Sequence, residues 1–333
     1  MAELELTVTA ASAETALIRT LHLRASGGTS LPPFSPGAHL QVSVPGLADP
    51  RCYSLVTFDA IPGAFEAPAE YRLGVRLEAD SSGGSRYMHG LVVGDRITVK
   101  GPKNDFPLHP ASPGEGEIVL IAGGIGITPI AAMAAALQSA NRPYMLHYSG
   151  RSADQLAFVD ALRTLAGDRL HLHADDDAAT RFDLGALLDR LSPTQHLYVC
   201  GPKGMIDALI EGAKARGWPT DRVHFELFAS AAPQAGDQPF EVELAQSGKV
   251  LTVPADKTIL EVMEAEGCDP MYDCKRGECG LCAIDVVDID GEIDHRDVFF
   301  SDHQKQSNQK ICACVSRACG TITVDTLLRV DAL

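Results

Sequence analysis

The sequence lacks any apolar run long enough to cross a bilayer. The best stretch, Ile118 to Ile130, is short and interrupted by glycines. It also lacks a basic opening segment followed by a long apolar one: residues 1–9 read Met-Ala-Glu-Leu-Glu-Leu-Thr-Val-Thr, so no secretory signal is expected. Positive charge is scarce. Lys and Arg number 28 against 44 Asp and Glu, and the net charge of −16 argues against nucleic acid or an anionic membrane as partner. No internal repeat and no low-complexity tract is present. What remains is a 333-residue globular chain, 45% hydrophobic, for which two or three domains are expected. Its nine cysteines, without an export signal, fit metal ligation in a reducing cytoplasm better than a disulfide framework.

The cysteines are clustered. Cys274-Lys-Arg-Gly-Glu-Cys279-Gly-Leu-Cys282 reads C-x4-C-x2-C, with Cys312 and Cys314 following, the plant-type ligand spacing for a [2Fe–2S] centre. Three thiolates in nine residues converge on one inorganic core only if the backbone wraps tightly around it. Gly277 and Gly280 supply positions that can take φ > 0 and let main-chain N–H groups approach the sulfurs. A zinc site would prefer paired C-x2-C knuckles, and only one is present. Ile311 to Val315 reads as a strand that points Cys312 and Cys314 to one face, so either can close the cage.

Ahead of this loop the chain changes character twice. Residues 4–9, 40–44 and 71–77 alternate as short strands joined by Pro- and Gly-rich connections, which suggests an antiparallel barrel. Within it Arg51-Cys-Tyr53-Ser54 follows the turn signal Asp49-Pro50. Ser82-Gly83-Gly84-Ser85 precedes a short helix expected from Arg86. An Arg, an aromatic and an anion nest are the parts a flavin mononucleotide site needs.

From Glu117 the pattern becomes βα. A continuous apolar strand, the turn Gly123-Gly124-Ile-Gly126-Ile-Thr128-Pro129 and an alanine-rich helix through Leu137 place a pyrophosphate at a helix N-terminus. Strands at 144–148, 170–174 and 196–200 alternate with helices at 153–165 and 204–216, which argues a parallel sheet. Cys200-Gly201-Pro202 stands at a strand's carboxyl end, where ligands sit in such sheets. At the ribose end, Arg151 suits a 2′-phosphate and Asp154 stands close by, so NADH and NADPH both remain open. The small-residue run 229–238 reads as a linker. Beyond it, 240–244 and 250–253 form an expected hairpin, with a helix at 258–266. From Pro239 to Leu333 there are 18 Asp and Glu against 9 Lys and Arg, so about half the net charge lies there, suiting either solubility or an acidic face for a basic redox partner.

In this order the motifs resemble the phthalate dioxygenase reductase family, which includes the vanillate O-demethylase reductases. The resemblance rests on Arg51-Cys-Tyr-Ser, Ser82-Gly-Gly-Ser, Gly124-Ile-Gly-Ile-Thr-Pro, Cys200-Gly-Pro, His224-Phe-Glu, the cysteine loop, Asp294-His-Arg-Asp297 and Cys314-Val-Ser-Arg-Ala. It implies an FMN-binding antiparallel β-barrel (1–110), a Rossmann-like ferredoxin-reductase nucleotide domain (111–229), a linker (230–238) and a C-terminal β-grasp ferredoxin (239–333). By that resemblance Arg51, Tyr53, Ser54 and Val75 hold the flavin, with Gly83, Gly84 and Ser85 at its phosphate. Gly124, Gly126, Thr128, Pro129, Arg151, Gly201 and Pro202 bind the nicotinamide nucleotide. Ser54, Cys200, Glu226 and Phe228 line the reacting rings, and Cys274, Cys279, Cys282 and Cys314 ligate iron. The chain departs from the family at Leu227 and at Cys312, which stands beside the presumed ligand.

The implied activity is NADH oxidation that feeds single electrons to a Rieske-type oxygenase. NADH gives up a hydride, the cluster accepts one electron, and a flavin between them does both. Two other readings are compatible with the residues: a self-contained NAD(P)H flavin reductase or oxidase, and an electron-carrier module that never turns over nucleotide. The resemblance leans to FMN over FAD, to NADH and to a cytoplasmic monomer.

Overall fold

A computed structural model describes the whole chain except residues 1–2, 29, 48, 80, 82, 111–115, 229–233, 235 and 326–333. Ser82 and most of the expected linker therefore lie outside the described residues. The chain forms two compact units, 1–226 and 227–333.

The first unit begins with strands β1 (Glu3–Ala13), β2 (Ile18–Ala25), β3 (His39–Val42), β4 (Arg51–Ser54) and β5 (Tyr71–Arg76), helix α1 (Gly84–Gly90) and strand β6 (Arg96–Lys103). They make an antiparallel sheet of order β4-β3-β6-β1-β2-β5. Alternation turns Leu6, Val8, Leu40, Val42, Tyr71, Leu73 and Val75 inward to one core. The sheet curls until its two edges meet. A bridge pairs Leu55 with Leu73, and the Val56 N–H donates to the Arg72 carbonyl at 2.9 Å. Curling hides the edges and sets β4 beside β5. Helix α1 starts at Gly84, two residues before the expected Arg86.

The second layer of this unit holds β7 (Ile118–Gly123), α2 (Ile127–Ser139), β8 (Tyr144–Gly150), α3 (Val159–Ala166), β9 (Leu170–Ala174), α4 (Leu184–Leu188), β10 (Leu197–Cys200), α5 (Lys203–Ala215) and β11 (Val223–Glu226). The five strands are all parallel, in the order β11-β10-β7-β8-β9. All six residues of β7 are buried, as befits a central strand covered on both faces. Its core also takes in Ile18, Val56 and Phe106 from the barrel segment, so the two sheets share one apolar interior. The helix expected over 153–165 is broken. Leu156 is extended, and Phe158 takes φ +63, so α3 begins only at Val159. Tertiary packing overrides the helical pattern here: the Phe158 ring lies 5.4 Å from Phe58 and against Gly74 of β5.

The second unit contains β12 (Phe240–Leu244), β13 (Lys249–Val253), α6 (Ile259–Ala265), β14 (Ala283–Asp294), α7 (Asp302–Ser307), β15 (Lys310–Cys312) and β16 (Arg317–Asp325). Its sheet runs β13-β12-β16-β14-β15, with β12 and β16 parallel and the other pairs antiparallel, a β-grasp arrangement around one helix. Thr258 and Glu261 form a reciprocal capping box that starts α6, worth about 1 kcal/mol. The strand expected over 311–315 stops at Cys312. Residues 313–315 turn, with the Val315 and Ser316 N–H groups donating to the Cys312 carbonyl at 3.2 and 3.0 Å. Cys314 thus reaches the thiol loop from a turn rather than from a pleated face.

Residues at the end of the expected linker are tied into this unit. Asp237 accepts two hydrogen bonds from Arg296 at 2.5 and 3.0 Å, and Arg317 donates to the Gln238 carbonyl at 3.1 Å. The Arg296 hydrogen bonds hold the Asp237 carboxyl at about 2, below its usual 3.8. A depressed folded-state value means that this contribution is present above about pH 4 and is lost as pH falls through about 2. Asp237→Asn is therefore expected to lower the unfolding midpoint of the second unit at pH 7 and to flatten its acid dependence between pH 4 and 2. Urea unfolding followed by circular dichroism across that range checks both effects.

Candidate functional site

In the barrel, β3 pairs antiparallel with β4, Leu40 opposite Tyr53 and His39 opposite Ser54. Ser54 is buried, and Arg51 and Tyr53 are half-buried. Burial first, against the opposing charge of Arg51, pushes the Tyr53 hydroxyl up to about 12, so it stays a neutral donor. Gly83 takes φ +118 and opens α1 at Gly84. A Cβ on Gly84 would lie 2.7 Å from Arg51 Cγ and 3.2 Å from the Tyr53 hydroxyl. The glycine turn and the Arg-x-Tyr-Ser strand, 30 residues apart in sequence, thus form one cradle. The Ser85 hydroxyl accepts from the Glu78 N–H at 3.1 Å, which anchors the incoming loop and leaves its own proton to donate. Val75 is buried in β5, and its carbonyl faces His89 Nε2 at 2.9 Å.

The nucleotide crevice follows from topology. Strands β7 and β10 are neighbours whose connections leave in opposite directions, the switch point where ligands bind beyond the carboxyl ends. There the Gly123–Gly126 turn meets Cys200-Gly201-Pro202, backbone on backbone. A Cβ at Gly126 would sit 2.1 Å from the Cys200 carbonyl oxygen, and one at Gly123 would sit 2.6 Å from Pro202 Cδ. Thr128 is buried, its hydroxyl donating to the Ile125 carbonyl at 3.0 Å, and Pro129 lies in the first turn of α2. The Cys200 side chain belongs to the core, opposite buried Glu226 in the β10–β11 register. Gly74 of β5 packs on Thr128, where an added Cβ would be 2.8 Å from its methyl, so flavin cradle and nucleotide turn adjoin within one unit.

Arg151, expected at the ribose end, is exposed, and its carbonyl accepts from the Asp176 N–H at 3.1 Å. This contact brings the Asp175-Asp176-Asp177 run beside Arg151. The sequence reading passed over these aspartates; an acidic run straight after the third strand of the sheet was the available signal.

The thiol loop is the centre of the second unit. Lys275, Gly277 and Gly280 take φ +52, +75 and +72. A Cβ at Gly277 would meet Val315 Cγ2 at 2.7 Å, and one at Gly280 would lie 2.2 Å from the Phe299 ring. The Sγ atoms of Cys282 and Cys314 are 3.1 Å apart, and the Arg276 N–H donates to Cys274 Sγ at 3.3 Å. Hydrogen bonds from Cys279 and then Cys314 hold Cys274 far below the usual thiol range. Those from Cys312 and then Cys314 bring Cys282 down to about 4. The three donors are pushed up correspondingly, each first by its bond to those sulfurs. Cys314 therefore touches both ends of the loop, whereas Cys312 touches Cys282. The thiols run as a chain of contacts, Cys279 to Cys274 to Cys314 to Cys282 to Cys312; among the described residues no three His, Cys, Asp or Glu surround a single metal-ion position.

Carboxylates brace this loop. Buried Asp297 accepts from the Phe300 N–H at 2.8 Å and from the Ser316 hydroxyl at 3.2 Å, tying the two segments that flank the loop. Glu278 accepts from the Leu227 N–H at 2.5 Å and pairs with Arg276 at 3.1 Å. Phe228, next in the chain, is 40% exposed.

A flavin cradle, a nucleotide switch point and a plant-type thiolate loop define an iron–sulfur flavoprotein oxidoreductase with an attached ferredoxin. Comparison with known proteins agrees. Residues 120–210 match an oxidoreductase NAD-binding domain and residues 242–319 a 2Fe-2S iron-sulfur cluster binding domain. The chain is 40% identical over 320 residues to the heme-dependent oxidative N-demethylase beta subunit of Ectopseudomonas mendocina, covering 96% of this chain and 97% of that one. It is 42% identical over 301 residues to a vanillate O-demethylase oxidoreductase of a Pseudomonas species, covering 89% and 90%. Among solved structures it matches phthalate dioxygenase reductase with a TM-score of 0.70 and 32% identity over 97% of this chain and 98% of that one. It also matches full-length CYP116B46 of Tepidiphilus thermophilus, with a TM-score of 0.72 and 36% identity, spanning 97% of this chain but 42% of that one. The chain belongs to the phthalate dioxygenase reductase family.

Two glycine substitutions separate the sites. Gly84→Val displaces Arg51 and is expected to weaken flavin retention at least about tenfold, or about 1.4 kcal/mol, read as visible absorbance after dialysis. Gly126→Val is expected to leave flavin bound while abolishing its anaerobic bleaching by NADH.

Proposed function

We propose that this protein is the reductase component of a two-component Rieske-type oxygenase or demethylase, passing electrons from NADH through FMN to a [2Fe–2S] centre and on to the oxygenase. The observation that carries the reading is the glycine-shaped loop that gathers four cysteine sulfurs. Arg51, Tyr53, Ser54, Val75, Gly83, Gly84 and Ser85 would hold the flavin, with Phe228 against its ring. Gly124, Gly126, Thr128, Pro129, Arg151, Gly201 and Pro202 would seat the dinucleotide, with Cys200 and Glu226 near the nicotinamide. Cys274, Cys279, Cys282 and Cys314 would ligate iron, Cys314 being favoured by its contact with both Cys274 and Cys282. The domain limits are 1–110, 111–229 and 239–333, joined by 230–238.

Bound FMN would supply the change in electron number, since a flavin can accept one hydride and give up its two electrons singly. The chain's part is binding and orientation. The Tyr53 hydroxyl stays protonated across the physiological range and donates a hydrogen bond without moving a proton. The β7–β10 backbone contact gives the dinucleotide a glycine floor. Asp175–Asp177 beside Arg151 disfavour a 2′-phosphate by charge, which supports NADH.

A protein acceptor is supported by the surface around the thiols. Met271, Tyr272 and Leu281 stand within three residues of a loop cysteine and are exposed, as is Phe299, which lies on Gly280. Exposed apolar side chains in an acidic unit suit a docking protein with a basic rim. The names of relatives supply the acceptor class: vanillate O-demethylase for one, a heme-dependent N-demethylase for another. Among the described residues no cysteine is in a disulfide, which suits a reducing cytoplasm, where we take the protein to work as a monomer.

Anaerobic titration with NADH, followed by visible absorbance and EPR, is expected to bleach a flavin band and then raise a reduced-cluster signal. Cys279→Ser should keep flavin reduction and abolish electron delivery to a Rieske-type oxygenase component. Equal loss of both in a folded variant contradicts the linear relay. Undiminished turnover with free flavin selects a self-contained flavin reductase instead.

A further inference from the structure

A fifth thiol stands at the proposed cluster site with no ligand role. Cys312 is fully buried at the end of β15, opposite Ala283 in the β14–β15 register. The Ala313 N–H donates to the Cys282 carbonyl at 3.1 Å, which fixes the two cysteine-bearing segments side by side. The chain then turns, its 315 and 316 N–H groups closing on the Cys312 carbonyl, and delivers Cys314 to within 3.1 Å of Cys282 Sγ. Cys314 hydrogen-bonds the sulfurs of Cys274 and Cys282, and Cys312 hydrogen-bonds that of Cys282. Cys312 thus lies beside Cys282, in an apolar core that includes Ile311, Val315 and Phe300.

We propose that Cys312 is a positioning residue whose S–H donates a hydrogen bond to the Cys282 sulfur once Cys282 ligates iron, and so raises the reduction potential of the cluster. The inference rests on the assignment of Cys282 as a ligand. A thiol proton aimed at a ligand sulfur withdraws electron density from it and stabilises the reduced, more negative cluster, and hydrogen bonds to the sulfurs and burial are the protein's levers on such centres. The site is dry, so the bond is not diluted by solvent. Its acidic surroundings act in the opposite direction: Asp297 is the charged group facing Cys312 from the 295–300 segment, with Lys305 of α7 4.0 Å from that carboxylate and His295 3.6 Å from it. A donor at position 312 offsets part of that negative field.

The test uses the full chain loaded with its cofactors. Wild type, Cys312→Ala, Cys312→Val and Cys312→Ser are assayed for iron and sulfide, titrated spectroelectrochemically, and examined by proton ENDOR after exchange into deuterium oxide. The expected result is full iron and sulfide in each variant. Relative to wild type, Ala and Val should lower the one-electron equilibrium constant for cluster reduction about tenfold, about 59 mV. Ser, which keeps a donor, should fall between, and one exchangeable proton coupling should vanish in Ala and Val. A folded, fully loaded Ala variant with the wild-type midpoint overturns the inference. So does a loss of iron in Ala and Ser that Cys314→Ala does not reproduce, because Cys312 would then be the ligand. Wild-type protein without iron and sulfide would overturn the cluster assignment itself, an outcome separate from any difference among the variants.

Discussion

At every candidate site in this protein the main chain must come closer to a neighbour than any side chain permits. Gly126 lies against the Cys200 carbonyl, Gly84 against Arg51 and Tyr53, and Gly280 against the Phe299 ring. The distances that a Cβ would have to tolerate, 2.1, 2.7 and 2.2 Å, are well inside van der Waals contact. Phosphate, pyrophosphate and cluster sulfur are all recognised by backbone N–H groups, and a backbone that binds must be bare. The remaining architecture holds these three bare turns in place: a curled sheet closed by one bridge, a parallel sheet with its switch point, and a β-grasp sheet braced by Asp297.

Because the barrel and the nucleotide sheet share an apolar interior, the first two turns belong to one body. Gly74 on Thr128 and Phe158 on Phe58 are the local expression of that fusion. The second unit has its own core, which contains Cys282, Cys312 and Cys314, so cluster site and fold are stabilised by the same packing. Removing an apolar neighbour there would cost the sheet about 2–5 kcal/mol and loosen the thiols with it.

Much of this was legible in the residues, for definite reasons. The apolar run before Gly123, the spacing of Cys274, Cys279 and Cys282, and the alternation of Tyr71, Leu73 and Val75 are local patterns with one physical meaning each. What stayed hidden was set by distant partners. The break at Phe158 depends on an aromatic 100 residues earlier. The end of β15 at Cys312 depends on its carbonyl accepting from the N–H groups of the following turn, which apolar alternation does not report. The 12-residue strand β14 reads as an acidic stretch, Asp285 to Asp294, because one face is wet and its pairing with β16 and β15 makes it a strand. Nothing in the cysteine spacing singles out Glu278, and its hydrogen bond to Leu227 appears only in three dimensions.

The position of β16 has a bearing on how the second unit is made. It lies in the middle of the sheet, between β12 and β14, yet of the described elements it is the last to be synthesised. A ribosome delivers residues in order, so β12, β13 and the loop with its first three cysteines emerge without the strand that joins the halves. Until residue 325 is free, Cys314 has no fixed address and the nascent loop is an open set of reactive thiols. The four cysteines are therefore gathered around iron and sulfide only once β16 is in place.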